Sequence, residues 1–124
     1  MSDAPIRLLL VDDEVGFLEV LQKRLGKRGL NVTIAISGAE GIQVLRGRDF
    51  DVAVLDLKLE DMDGIEVLQI FKKMVPELPV IMLTGHGSEQ AAREGVAYGA
   101  FDYMLKPCDL DDLLKKIRQA VDQA

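Results

Sequence analysis

The chain has 124 residues and a mass of 13.7 kDa, the size of one domain with a proper core. A hydrophobic share of 48% beside 29% charged residues is a globular profile. The net charge of −6 and isoelectric point near 4.7 disfavour direct nucleic-acid binding. The opening "MSDAPIRLLLVDDE" lacks a basic region ahead of its short apolar run, so it does not read as a signal peptide. No stretch approaches the ~20 apolar residues of a membrane span. Cys108 is the lone cysteine, which excludes an internal disulfide, suits a reducing cytoplasm and reads as a semi-buried turn residue.

Short apolar runs alternate with longer helical patterns from end to end. A strand is predicted over residues 6–11 ("IRLLLV"), then a helix near 14–28 that Gly29 should stop. The alternating "NVTIAI" (31–36) places Val32, Ile34 and Ile36 on one face, as in an edge strand. "SGAE" (37–40) resembles a capping box for a helix over 38–47. A strand over 51–55 follows, and "DGIE" (63–66) opens a helix over 64–74 with Asp63 as its cap. "PVIML" (79–83) reads as a strand and 88–98 as a helix. The partly polar "FDYML" (101–105) reads as the last strand, and 109–122 as the last helix, with Leu110, Leu113, Leu114, Ile117 and Val121 at helical spacing.

Strict β/α alternation implies an α/β fold with a parallel sheet covered on both faces. The first, third and fourth strands are nearly continuous apolar runs, so they should be central. The order is then 2-1-3-4-5, flavodoxin-like. With no linker, repeat or low-complexity tract, residues 1–124 are expected to form one domain with no room for a second.

In such sheets the working site lies beyond the carboxyl ends of the strands. There the sequence puts Asp12 and Asp13 ("VDDE"), Asp56 ("VAVLDLKLEDMDG"), Thr84 ("MLTGHG") and Lys106 ("MLKP"). Asp56 is the hardest to dismiss, because a strand-end acid after "VAVL" is desolvated without acting as an obvious cap. Asp12 or Asp13 could instead cap the first helix. A pair of like charges ~4 Å apart repels by about 4 kcal/mol at an effective dielectric of 20, so three acids need an offsetting cation. Lys106 supplies part of it. Oxygen ligands without clustered Cys or His favour Mg²⁺ for the rest. Glu60 and Asp61 read as solvated loop residues, and His86 as an exposed loop histidine.

As an ordered set, "LLLVDDE", "VAVLDLKLEDMDG", "VIMLTGHGS" and "GAFDYMLKP" resemble the receiver domain of bacterial two-component response regulators, over essentially the whole chain. The resemblance implies phosphoryl transfer from a sensor histidine kinase or histidine phosphotransfer protein to Asp56. It implies Mg²⁺ held by Asp13, Asp56 and the backbone carbonyl of Lys58, with Asp12 acting through a metal-bound water. Lys106 and Thr84 would grip the phosphoryl oxygens, and Tyr103 matches the switch aromatic that turns inward as Thr84 moves. The family often has proline where Glu60 stands, and the residue type at position 58 varies. Such a module is cytoplasmic and no enzyme beyond its own aspartyl phosphorylation and dephosphorylation.

Other classes fit less well. A haloacid-dehalogenase-type aspartyl-phosphate hydrolase needs a second Asp two positions after the nucleophile, where Lys58 stands. A calcium loop aligned on Gly64 would put Leu59 and Ile70 at ligand positions. "GHG" lacks the third glycine of a dinucleotide fingerprint. A receiver-like interaction module that never takes phosphate remains the alternative. Three of the six aromatics, Tyr98, Phe101 and Tyr103, cluster near the fourth helix and fifth strand. That helix should be lightly anchored, through Ala91, Ala92, Gly95 and Val96. Output to a downstream protein, or to a second copy, is therefore expected through the helix 4–strand 5–helix 5 face.

Overall fold

The computed structural model describes residues 4–85 and 87–123, so His86 lies outside it. Among the described residues the elements are β1 (Arg7–Val11), α1 (Val15–Lys27), β2 (Asn31–Ala35), α2 (Gly38–Gly47), β3 (Val52–Leu55), α3 (Gly64–Met74), β4 (Val80–Thr84), α4 (Glu89–Ala97), β5 (Asp102–Leu105) and α5 (Leu110–Gln123). The strands form one sheet, β2-β1-β3-β4-β5, with every pairing parallel. That is the expected order. Four strands begin a residue later than the sequence suggests. Ile6, Asp51, Pro79 and Phe101 each take part in a flanking backbone hydrogen bond, so the difference is where the ladder frays.

Burial explains the order. Nearly every residue of β1, β3 and β4 is buried, whereas β2 and β5 are mostly half-buried edges. The pleat divides the central strands between two layers. Leu9, Val11, Ala53, Leu55, Val80 and Met82 join the layer that holds Leu45 of α2, Phe71 of α3 and Ala92 of α4. Leu8, Leu10, Val52, Val54, Ile81 and Leu83 join the one formed with α1 and α5. Each fully buried Leu or Phe contributes about 1.5–3 kcal/mol, so the two layers hold the strand ends in register.

The helix starts bring two corrections. Ser37 Oγ accepts from the Glu40 amide at 3.1 Å, and Asp63 Oδ1 from the Ile65 amide at 3.0 Å. Among the described residues the return bonds from Glu40 and Glu66 are absent, so both motifs act as simple N-caps rather than reciprocal boxes. Asp61 is more than a solvated loop residue. Its two oxygens accept from the Gly38 and Ala39 amides at 2.9 and 3.0 Å, which caps α2 from the β3–α3 loop and lowers the carboxyl's pKa. Gly29 has φ of +90° and ends α1 as expected.

Helix α4 is lightly anchored, by three of the four residues expected. Ala92 and Gly95 are its buried positions and Ala91 is partly buried against the same core, while Val96 is 42% exposed. Val96 follows Gly95 by one position, about 100° further round the helix, which turns it away from the sheet.

Candidate functional site at the carboxyl ends of the strands

Backbone pairing carries the site residues to one edge. Val11 lies level with Leu55, and the Asp56 amide donates to the Val11 carbonyl at 3.0 Å, so Asp12 and Asp56 leave adjacent strands side by side. Thr84 lies level with Leu105, and the Lys106 amide donates to the Thr84 carbonyl at 2.7 Å. Asp12 and Asp56 are nearly buried, at 2% and 5% exposure. One carboxylate oxygen from each of Asp12, Asp13 and Asp56 falls within 4.8 Å of the others, with Asp13 on the more open side.

The loop after β3 is held tightly. The Gly64 amide donates to the Leu57 carbonyl at 2.9 Å, and Lys58 forms an isolated antiparallel bridge with Asp63. A Cβ on Gly64 would lie 2.4 Å from Leu57 Cα and 2.6 Å from the Asp56 carbonyl oxygen. Only glycine lets the start of α3 approach the Asp56 backbone so closely. The Lys58 amide donates to Asp56 Oδ1 at 3.3 Å, tying the carboxylate to the same loop.

Lys106 Nζ reaches Asp12 Oδ2 at 2.5 Å, Glu14 Oε1 at 3.3 Å and Asp56 Oδ2 at 3.6 Å. It also sits 4.4 Å from the centre of the Phe17 ring. Burial works against its charge, yet Asp12, Asp56 and Glu14 outweigh burial, and the ammonium titrates above its ordinary range. Burial raises the Asp12 carboxyl, and the charge of Asp56 adds to this. The Lys106 bond and the Glu14 amide, which donates to Asp12 Oδ1 at 2.9 Å, pull the other way. Asp12 therefore orders the turn that leads into α1 while also facing Asp56, but it does not cap the helix. The N-cap position is Glu14 and carries no side-chain capping bond, so the capping alternative fails for Asp12 and Asp13 alike.

Four carboxylates around one ammonium leave excess negative charge. The donors are all oxygen, which suits a hard divalent cation such as Mg²⁺. The acid triad can hold a metal ion. Thr84 Oγ1 is fully buried and has no hydrogen-bond partner among the described residues, which leaves a donor to spare beside the acids. Tyr103 is half-buried, packed against the layer that contains Met82 and Ala92.

The structure thus brings Asp12, Asp13, Asp56 and Lys106 into one cluster, with Thr84 at the neighbouring strand end. Sequence reasoning missed Glu14, Phe17 and Gly64. Glu14 is visible in "VDDE" but looked like a helix-start acid, and Phe17 lies one helical turn after it. The need for Gly64 shows only in the backbone approach.

The family model described as the response regulator receiver domain matches residues 8–118. The chain is 41% identical over 124 residues to the transcriptional regulatory protein GlrR of Escherichia coli K12, a match covering 100% of this chain and 28% of that protein. It is 40% identical over 112 residues to the acid tolerance regulatory protein ActR of Rhizobium meliloti, covering 90% of this chain and 58% of that one. The chain therefore spans between about a quarter and three-fifths of the length of these relatives. Among solved structures, a CheY-like receiver domain protein from Methanospirillum hungatei JF-1 superposes with a TM-score of 0.91 at 34% identity, covering 96% of this chain and 95% of that one. The receiver domain of NtrX from Brucella abortus gives 0.90 at 30% identity, covering 94% and 99%.

Proposed function

The chain belongs to the response-regulator receiver family, and from that premise we propose that it is the phosphoacceptor of a two-component relay, with residues 1–124 acting as one receiver module and Asp56 as the nucleophile. The donor is a phosphohistidine on a sensor histidine kinase or a histidine phosphotransfer protein. A carboxylate oxygen of Asp56 attacks phosphorus in line. The new O–P bond forms as the P–N bond to histidine breaks, and the electron pair returns to the imidazole. The observation that carries this reading is the Lys106 ammonium 3.6 Å from Asp56 inside a buried acid cluster.

Each residue then has a task. Asp13, Asp56 and the Lys58 carbonyl would hold Mg²⁺, with Asp12 acting through a bound water. The ion supplies neutralisation of the phosphoryl oxygens during transfer. Lys106, kept charged by its acidic neighbours, donates to a phosphoryl oxygen. Thr84 Oγ1, unpartnered among the described residues, donates to another. A phosphoryl group adds roughly two negative charges and three acceptor oxygens, which these donors meet.

The output passes through Thr84 and Tyr103 to the α4–β5–α5 face. Phosphate on Asp56 favours the conformer in which Thr84 has moved toward it and Tyr103 has turned inward. Small residues alone, Ala91, Ala92 and Gly95, anchor α4, and Val96 on it and Tyr98 just after it are exposed, which supports an easily shifted surface for a downstream protein or a second copy. The module works in the cytoplasm. No helix of the described residues is long and apolar enough to cross a membrane.

The test is incubation with acetyl phosphate and Mg²⁺ followed by intact-mass measurement. Wild type is expected to gain one phosphoryl group, and none when the metal is chelated before the donor is added, and Asp56→Asn none. An unmodified wild type overturns the reading. Unchanged amide shifts on the α4–β5–α5 face of phosphorylated protein overturn the output route.

A further inference from the structure

The Glu14 carboxylate has no place in the transfer just described, yet it lies 3.3 Å from the Lys106 ammonium. Resting on the phosphoacceptor reading, we infer that Glu14 is a positioning and specificity-determining residue that holds Lys106 and screens phosphodonors by charge.

The geometry separates Glu14 from the other acids around Lys106. Asp12 and Asp56 have side-chain exposures of 3% and 6%, whereas Glu14 has 63%. Lys106 itself is 14% exposed, so Glu14 is the carboxylate on its solvent side. A lysine ammonium has three N–H donors. Asp12 at 2.5 Å and Glu14 at 3.3 Å occupy two, and the Phe17 ring lies 4.4 Å from Nζ. A phosphoryl oxygen arriving at Asp56 meets Glu14 as a competitor for the ammonium and as a fixed negative charge at the mouth.

The consequence depends on the donor. A free dianion such as acetyl phosphate is repelled throughout its approach. A monoanion such as phosphoramidate feels about half that repulsion. A phosphohistidine presented by a docking protein brings its own contacts to offset it. Glu14 thereby lowers reactivity toward small free donors without touching the transferred group.

The experiment measures labelling rates of the full chain with acetyl phosphate and with phosphoramidate, in Mg²⁺, across a range of ionic strength. The variants are Glu14→Gln and Glu14→Asp. With either donor the step balances as before: an Asp56 oxygen bonds phosphorus as the P–O bond of acetyl phosphate breaks and acetate leaves with the electron pair, or as the P–N bond of phosphoramidate breaks and ammonia leaves. Glu14→Gln is expected to speed acetyl phosphate labelling by roughly three- to tenfold at low salt, and phosphoramidate labelling by clearly less. Wild-type labelling by acetyl phosphate should accelerate with salt, Glu14→Asp should keep that slope, and Glu14→Gln should flatten it. An equal change for both donors, or an unaltered salt slope in Glu14→Gln, overturns the role of Glu14. A wild type labelled by neither donor overturns the phosphoacceptor reading itself. The wild-type salt slope, measured without any substitution, keeps the inference testable if a variant folds poorly.

Discussion

Removing the charge of Asp56 should stabilise the metal-free protein. Asp56 is 5% exposed, and its carboxylate shares the cluster with oxygens of Asp12 and Asp13 within 4.8 Å. At an effective dielectric of 20, each repulsion at that distance is about 3.5 kcal/mol, and the attraction to Lys106 at 3.6 Å is about 4.6 kcal/mol. Asp13 is half-exposed, so solvent screens its share. The balance still favours removal, by about 1–2 kcal/mol. Asparagine keeps an oxygen to accept from the Lys58 amide. Unfolding entropy near 2.1 cal/mol/K per residue over 124 residues converts this to a rise in Tm of about 4–8 °C. Calorimetry of wild type and Asp56→Asn in chelator measures it directly. Millimolar Mg²⁺ should narrow the gap, because an ion bound by the three acids stabilises the wild type. An unchanged or lower Tm for Asp56→Asn in chelator would refute the electrostatic argument.

Gly64→Ala should cost about 3 kcal/mol in urea unfolding, because the new methyl meets backbone atoms that cannot rotate away; a loss below about 1 kcal/mol would contradict the close approach. Thr84→Val should leave the unphosphorylated protein as stable or about 1 kcal/mol more stable, since its buried hydroxyl has no partner among the described residues, and a marked loss would reveal a partner. Asp61→Ala should cost about 1 kcal/mol at pH 7 through the lost cap on α2. The Asp61 pKa is lowered on folding by the Ala39 and Gly38 amides, so its stabilisation is present above the unfolded value near 3.9 and is lost as pH falls through the folded one. The Asp61→Ala penalty should therefore shrink toward acid pH, and a penalty constant with pH would rule out the charged cap.

The parts of the fold visible in the sequence were those set by periodic burial. "VAVL" and "PVIML" are apolar without interruption because β3 and β4 are covered on both faces, and that fixed them as central strands. The strand-end residues were legible for the same reason: a parallel register carries Asp12, Asp56 and Lys106 to one edge regardless of loop detail. Contacts set by three-dimensional approach were not legible. Asp61 and the start of α2 are 22–23 residues apart, and nothing local in "LEDMDG" shows that an acid there will find two free amides. Val96 fits an apolar pattern by type, but a nine-residue helix with Ala92 and Gly95 against the sheet turns it outward. Glu14 was hidden by its neighbours, because a run of three acids gives no hint which one leans over a lysine 92 residues away.

The central claim is that Asp56, among clustered acids, accepts phosphorus. Borohydride reduces an aspartyl phosphate to homoserine, so protein labelled with acetyl phosphate and Mg²⁺, then reduced and digested, reports the modified position by peptide sequencing. Homoserine at position 56 within "VAVLDLKLEDMDG" is the expected result. Homoserine at Asp12 or Asp13, or at no position in a labelled sample, would contradict the account.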